Sequence, residues 1–586
     1  MIDGKFKTER YALLSGINNK ASPYVNGPQE MRDLVNLNFR EPGALTQRPG
    51  STMYAGATVS GRITGGIEFE RLNGASYVVA SANTNAYTVT SSGFTPFKTG
   101  LLNNALLDFV TFVDRLFGCN GQDFFKFDGT NTQPFSLPPG YPGLAATAVE
   151  GGSLLAGVTG IFTIAYGFLN DRGYYGPAGN GVTITLNGVT FNSIAYLGMT
   201  LPPNFGISAI ALYRTSVNGN EITGTTQALA ANVLSGATII DTGFPLTDRI
   251  DNEALFFTLV PKYLEIYNNQ LFMGGFSSLL STTYWSEIGE PENVQPEYST
   301  EFRTNDGDKL TGIRAYSGGV IFSKERSLHR ITGDDPTNFL QIEISDQYGC
   351  LSDRTMIVFE DYFWCLDSKG IVEFDGASAR IVSNPVEDIF KSMNVAAARD
   401  NACALHDRDN NEVLFAIPCD GSSINNCIVV YDYLAKAWTT YEGIEATHFY
   451  MAKGGLGRKS LLFGGYTGAL SYFGSTLTGD AGKAITCIMT PPFIAPEGQT
   501  TEQMYRRFYL NVDPVMGVTL PISVNLRTNY GSTVQATRTM YMNPFQSRVD
   551  FGLSAKSLQT EVVYSSASFP IKIMGYAIES RKQRDT

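Results

Sequence analysis

The sequence predicts an all-β protein: a degenerate β-propeller of about six or seven blades, with an inserted immunoglobulin-like β-sandwich and a C-terminal β-sandwich platform. Three observations predict it. Charged residues make up only 17% of the 586 residues, while aromatics reach 12% and glycines number 60; rings suit a pleated sheet and glycine suits tight turns. Short apolar strands, paired across Gly- or Asp-containing turns, recur about every forty to fifty residues, the period of propeller blades. Helix signals are scarce. At roughly 100–200 residues per domain the length allows about three to five domains, and 43% hydrophobic residues supply their cores.

In chain order, residues 1–60 read as an N-terminal arm, with a short helix expected from Pro28 to Leu37. Residues 61–143 carry the first blades: a strand after Asp114 turns at Asn120-Gly121 into Phe124-Phe-Lys-Phe127. Residues 144–256 follow a Pro/Gly-rich punctuation, Pro138-Pro139-Gly140 and Pro142-Gly143, and are poor in charge. Strands are expected there at Ile161–Phe168, Val182–Leu186, Ala209–Arg214 and Thr238–Asp241, with turns at Asn187-Gly188 and Asn218-Gly219-Asn220. That spacing reads as an immunoglobulin-like sandwich without an antibody-type Cys-Trp-Cys core. The uncharged stretch Gly151–Asn170 has about the length of a membrane span, but its glycines and strand pattern place it in a sheet.

Residues 257–481 resume the blades, with a strand at Asn269–Gly274 and hairpins at Gly319–Ile331, Asp361–Gly376 and Lys459–Gly474. Asn411–Ile417, Cys427–Asp432 and Ala437–Tyr441 form three consecutive strands, with Asp432 as a turn acid and Trp438 as a blade-core indole. The clearest helix starts at Asn384 as N-cap, with Pro385 at the first position, Glu387 at the third, and an end near Met393. Residues 482–586 alternate again at Phe508–Val512, Ile522–Leu526, Val549–Phe551 and Ile571–Ile573, a separate terminal sandwich.

Composition narrows the function classes. Lys plus Arg total 43 against 55 Asp plus Glu, a net charge of −12 that argues against wrapping nucleic acid by phosphate neutralisation. The first ten residues mix both charge signs without an apolar run and are not a secretory signal. Seven cysteines lack any Cys-x-x-Cys pair and read as reduced thiols, although a Cys419–Cys427 bridge across a hairpin is geometrically conceivable. No nucleophile elbow, phosphate loop or zinc-helix motif occurs. The only histidines, His329, His406 and His448, each sit in or beside a strand and read as structural. Asp407 to Glu412 mimics the start of a calcium loop, but the sixth position needs Gly and holds Glu412, so a hairpin turn is the expectation. No catalytic residue, cofactor or metal is therefore expected. A glycosidase needs only two well-placed carboxylates, and 55 acids offer too many pairs to choose from.

Gly16-Ile-Asn-Asn19, Ser22-Pro23-Tyr24, Asn36-Leu-Asn38 and Arg40-Glu-Pro-Gly-Ala-Leu-Thr-Gln-Arg48-Pro-Gly50 form an ordered set. This set resembles the opening of short-tailed bacteriophage tail proteins, the nozzle (tail tubular protein B) and tail-stabilisation group. Tyr284-Trp285-Ser286 ahead of Gly289-Glu-Pro-Glu292, and Ala211-Leu-Tyr-Arg-Thr215 followed by Asp241, match the same group. The resemblance implies a virion tail protein, assembled in the host bacterial cytoplasm, that forms a ring of hexameric order. It implies a place below the portal and adaptor, a lumen that passes genomic DNA without tight binding, and anchorage for fibres or receptor-binding proteins. No catalytic residues, cofactor or transmembrane segment come with it. A receptor-binding or polysaccharide-degrading propeller is the alternative.

Basic residues concentrate at few places, so the interface expectation falls on Arg40, Arg48, Arg506, Arg507, Arg581, Lys582 and Arg584. Arg48-Pro49-Gly50 reads equally as a turn delivering the arm to the first blade or as an inter-subunit contact. The tail from Arg581 reads as a solvated terminus or as a contact with an acidic neighbour.

Overall fold

The repeated unit is a hairpin fixed by an acid that caps its own turn. Asp128 accepts from the amides of Thr130 and Asn131, Asp375 from Ala377 and Ser378, and Asp432 from Leu434 and Ala435. Each is an Asx turn that closes the third and fourth strands of a blade. The computed structural model describes residues 5–583 except 14, 23–25, 141–142, 152–158, 174–175, 203, 220–221, 225–228, 231–237, 242–257, 304–305, 336–337, 514–518 and 543–546.

Among the described residues, seven four-stranded blades form a propeller. In chain order they span Ile63–Lys98, Asp108–Pro134, Tyr263–Glu301, Leu310–Ser345, Ile357–Ile381, Cys403–Glu442 and Ala446–Gly474. The seventh blade takes only three strands from its own stretch; Gly50–Met53 supplies the fourth, pairing antiparallel with Leu470–Gly474. Innermost strands of neighbouring blades touch around the ring, blade 4 meeting blade 5 through the 3₁₀ turn Asp353–Thr355, and blade 7 returns against blade 1. The first strand of the chain's blade region is thus the last strand of its ring.

The insertion between blades 2 and 3 is a two-sheet sandwich. One sheet joins Ala145–Glu150, Phe191–Leu197 and Ile239–Asp241; the other is built on Gly160–Asn170 and Ile207–Thr215, with Val182–Leu186 at its edge. Phe162, Ile164, Tyr166, Phe168, Ile194 and Leu212 fill the space between them. The long uncharged stretch therefore contributes a strand, and among the described residues no helix is long and apolar enough to cross a membrane.

Two sheets make the terminal sandwich, and neither is confined to residues 482–586. Blade 6 continues through Asp33–Val35 into Ile485–Thr490, Leu558–Ser566, Pro521–Thr528 and Ala536–Tyr541, a single sheet of nine strands. Facing it, Lys572–Lys582 and Gln503–Val512 pair with strands from Lys7–Tyr11 and Leu45–Gln47. One core runs across this junction, from Trp364 and Trp438 in the blades to Phe508, Val524 and Tyr576 in the sandwich. Full burial of such a side chain contributes about 1.5–3 kcal/mol, so blade 6 and the platform are welded rather than tethered.

Two local expectations need correction. Pro28–Leu37 is not a helix: Asp33–Val35 and Leu37–Asn38 are strands, separated by Asn36 at φ +57°. Leu34 and Leu37 are fully buried between distant sheets, and that tertiary pairing overrides the local pattern. The helix near Asn384 exists as a 3₁₀ turn, Asn384–Val386, followed by Glu387–Ser392, but Asn384 does not cap it. Its Oδ1 accepts from Lys20 Nζ instead (2.9 Å). A second helix, Val395–Asn401, is capped by Asn394, whose Oδ1 accepts from the Ala397 amide. The Asp407 loop is a hairpin turn, with Asp407 accepting from Asp409 and Asn410 amides. All seven cysteines are unpaired thiols, Cys419 and Cys427 included.

Candidate functional site

The N-terminal motif forms a polar hub where the propeller closes on the platform. Asn36, buried and left-handed, donates through Nδ2 to Thr486 O (2.8 Å), while its Oδ1 accepts from the Glu442 amide (2.9 Å) and from Arg48 Nε (2.7 Å). Arg48, only 1% exposed, donates further to both Asp480 oxygens (3.0 and 2.5 Å), Glu442 O (3.2 Å) and Pro49 O (3.1 Å). Asp480 in turn accepts from Ser51 N and Oγ, the start of the closing strand. A bidentate guanidinium–carboxylate pair is the strong form of this contact. Gly50 follows because a Cβ there would lie 2.3 Å from Gly479 O, and Gly16 because a Cβ would lie 2.4 Å from the Trp438 backbone.

The other matching pieces are also buried joints. Arg214 donates to Asp241 (2.6 Å) inside the inserted sandwich. Glu292 accepts from buried Lys126 (2.5 Å) and from Asn170 Nδ2 (3.2 Å), tying blade 3 to blade 2 and to the insertion.

The basic residues expected at an interface separate into two groups. Arg48 corrects that expectation: it is enclosed by its own chain, has no face left for a neighbour, and serves the turn. Arg40 is held bidentately by Glu412 (both 2.8 Å), and Arg507 bonds Asp550 (2.6 Å) and Glu579 (3.4 Å). Arg506 and Arg581 both lie on Phe6, with guanidinium-to-ring distances of 5.0 and 4.7 Å, and Lys582 is exposed beside them. Arg584 lies outside the described residues, as do Pro23 and Tyr24 of the matching motif.

The propeller axis carries a second concentration of charge that the sequence reading missed. A cavity of about 590 Å³ is lined by Asp108, Glu265, Arg314, Asp353, Arg354 and His448 among others. Most of these groups latch one blade to another. Asp108 accepts from the Leu264 amide (2.7 Å), Asp353 from the Ile313 amide (2.9 Å), and Arg314 pairs with Glu265 (3.2 Å). Arg354 donates to Thr447 O (2.8 Å) and Asp400 O (2.7 Å), and His448 Nε2 donates to Gly66 O (3.0 Å). Burial pushes Asp108 and Asp353 above the usual carboxylate range, and burial beside Arg354 pushes His448 down to about 4. Such groups hold blades in register. Among the described residues no cluster of three metal-ligating side chains occurs. The signal in the sequence was thin: an acid or Arg in or just before a first blade strand, where apolar residues predominate.

No protein-family model matches the chain, and no curated protein matches it. Similar solved structures include BBS1N in complex with ARL6DN, at 10% identity and a TM-score of 0.27, covering 74% of this chain and 97% of that one. The AfRom2 CNH domain is similar at 8% identity and a TM-score of 0.23, covering 64% and 96%. Hsv2 of Kluyvelomyces marxianus is similar at 7% identity and a TM-score of 0.22, covering 52% and 90%.

Proposed function

We propose that this chain is a structural, non-enzymatic component of a short-tailed bacteriophage tail: a ring-forming nozzle below the portal and adaptor. In this reading it extends the DNA channel, retains the genome until adsorption, conducts it during ejection, and anchors fibres or receptor-binding proteins. The observation that supports it most is the coincidence of the family-like residues with the weld of the molecule. Asn36, Arg48 and Gly50 join the ring-closing strand, blade 6 and the platform in one buried network. A part that withstands pressurised DNA needs such a weld, because a propeller without covalent closure opens at its last strand.

Charge and size agree with the reading. The cavity on the propeller axis, about 590 Å³, has the dimensions of a small-molecule site and does not pass a duplex. DNA would run through the lumen between copies. A net charge of −12 per chain keeps such a wall from gripping phosphates, and Arg40, Arg48 and Arg507 are already neutralised by carboxylates. The test is co-purification with a portal–adaptor assembly followed by imaging. The reading expects a ring on the adaptor's distal face with a neutral or acidic lumen. A lumen lined continuously by Lys and Arg, or a chain that releases reducing sugar from a host polysaccharide without joining the assembly, overturns it.

A further inference from the structure

Between blades 5 and 6, where the segment Ser15–Asn18 crosses, lies a cleft of about 680 Å³. Its wall is aromatic. Trp364 and Trp438 stack with centroids 5.9 Å apart and planes 16° apart, and Tyr431 sits 5.2 Å from the first and 4.6 Å from the second. Tyr362, two residues before Trp364 on the same strand, turns the same way and lines the same cleft. The Tyr362 and Tyr431 hydroxyls and the Trp438 indole N–H have no hydrogen-bond partner among the described residues, so the rings present free polar tips.

The polar part of the wall is pre-set. One oxygen of Glu373 accepts from Trp364 Nε1 (2.8 Å), and the other accepts from Arg380 Nε and Nη2 (3.1 and 2.7 Å). The Arg380 side chain stays 64% exposed, with donors left for a ligand. Three carboxylates, of Glu30, Glu360 and Glu373, face two cations, Arg380 and Lys436, so neither a polyanion nor a polycation is selected. A peptide strand would need the open edge of blade 6, but the Ile17 amide already donates to Trp438 O (2.9 Å).

We propose that this cleft binds a neutral oligosaccharide, on the order of two or three hexopyranose units for a cleft of this size. The C–H faces of the sugar rings pack on the half-buried Tyr362 and Tyr431 rings, which the buried Trp364 and Trp438 hold from behind, and the hydroxyls bond to Tyr362, Tyr431 and Arg380. The site goes beyond the nozzle reading and does not rest on it, since every residue that lines the cleft belongs to one chain.

Fluorescence titration of the full chain with maltohexaose, cellohexaose and N-acetylchitohexaose tests this. The chain has three tryptophans, and two line the cleft. The expected result is a saturable change with at least one hexasaccharide, weakened about tenfold by Tyr431→Ala or Tyr362→Ala. Tyr431→Phe, which keeps the ring, should weaken it less. Circular dichroism and thermal melting establish that each variant is folded, and the half-buried tyrosines are chosen over the tryptophans for that reason. No saturable change with any of the three up to about 10 mM, a change that the alanine variants leave intact, or saturable binding of a proline-rich decapeptide instead overturns the proposal.

Discussion

Removing the Arg48 guanidinium should open the propeller at its closing strand. Arg48→Ala deletes two bonds to Asp480, one each to Asn36, Glu442 O and Pro49 O, and the side chain that fills their centre. Breaking a buried ion pair by removing one partner costs about 3–5 kcal/mol. Asp480 is 20% exposed and keeps its bonds from Ser51, and Asn36 keeps its bond from the Glu442 amide, so the low end applies, about 3 kcal/mol. At about 1.4 kcal/mol per decade this is roughly a hundredfold in a local opening constant. Global unfolding is a poor assay, because a chain of several domains does not unfold in one step. Amide hydrogen exchange resolves it: Ser51–Met53 and their partners Ser471–Phe473 should exchange about a hundredfold faster. Strands Gly160–Asn170 and Ile207–Thr215 of the insertion should be unchanged. Arg48→Lys, a point charge without the planar fork, should fall between the two. Unchanged exchange in the closing strand, or equal loss in the insertion, would refute the clasp.

Other outcomes follow from buried groups elsewhere. Lys126→Ala should destabilise the joint between blades 2 and 3 and the insertion by about 3–5 kcal/mol. It leaves the buried Glu292 carboxylate with only the more distant Arg115 guanidinium at 4.0 Å and the Asn170 amide, so the low end is expected, whereas Lys126→Met with Glu292→Leu should recover most of the loss; limited proteolysis at the insertion reads both. His448, held near 4 by burial, should remain neutral with the proton on Nε2 at pH 5.5, a tautomer visible by imidazole NMR. Because its folded value lies below its ordinary one of about 6.5, its share of stability is present above that pH and is lost as pH falls towards 4. Asp33, pushed up to about 6 by burial, acts in the opposite sense over the same window, so the comparison must be wild type against His448→Gln. Native alkylation should leave nearly all seven thiols unmodified, since six are buried and the hydrogen bond with Cys419, together with burial, raises the half-buried Cys427; denaturation should expose all seven. Rapid native labelling of Cys427 would contradict that environment.

What was legible in the sequence was local. The turn acids Asp128, Asp375 and Asp432 fix hairpins within a few residues, so blade after blade could be read from spacing alone. The insertion was legible because its strands and Asn-Gly turns lie within one stretch. The closure was not, because it pairs Ser51 with Phe473 and Val35 with Thr440, residues about four hundred positions apart. No local pattern marks a strand whose partner lies so far off, and Pro28–Leu37 reads as a helix for want of one. The axial acids were hidden for a related reason. Asp108 and Asp353 look like turn residues until the ring closes and buries them against backbone amides of the neighbouring blade. Arg48 was singled out by its motif, but its role depends on Asp480, which the sequence gives no reason to pair with it.

Native mass spectrometry of the purified full chain at high micromolar concentration decides whether its copies close into a ring. A nozzle ring should give a single closed assembly, about six times the 63.8 kDa chain mass, with no ladder of open intermediates. A chain that stays at 63.8 kDa, alone and in the presence of the portal–adaptor assembly, would contradict it.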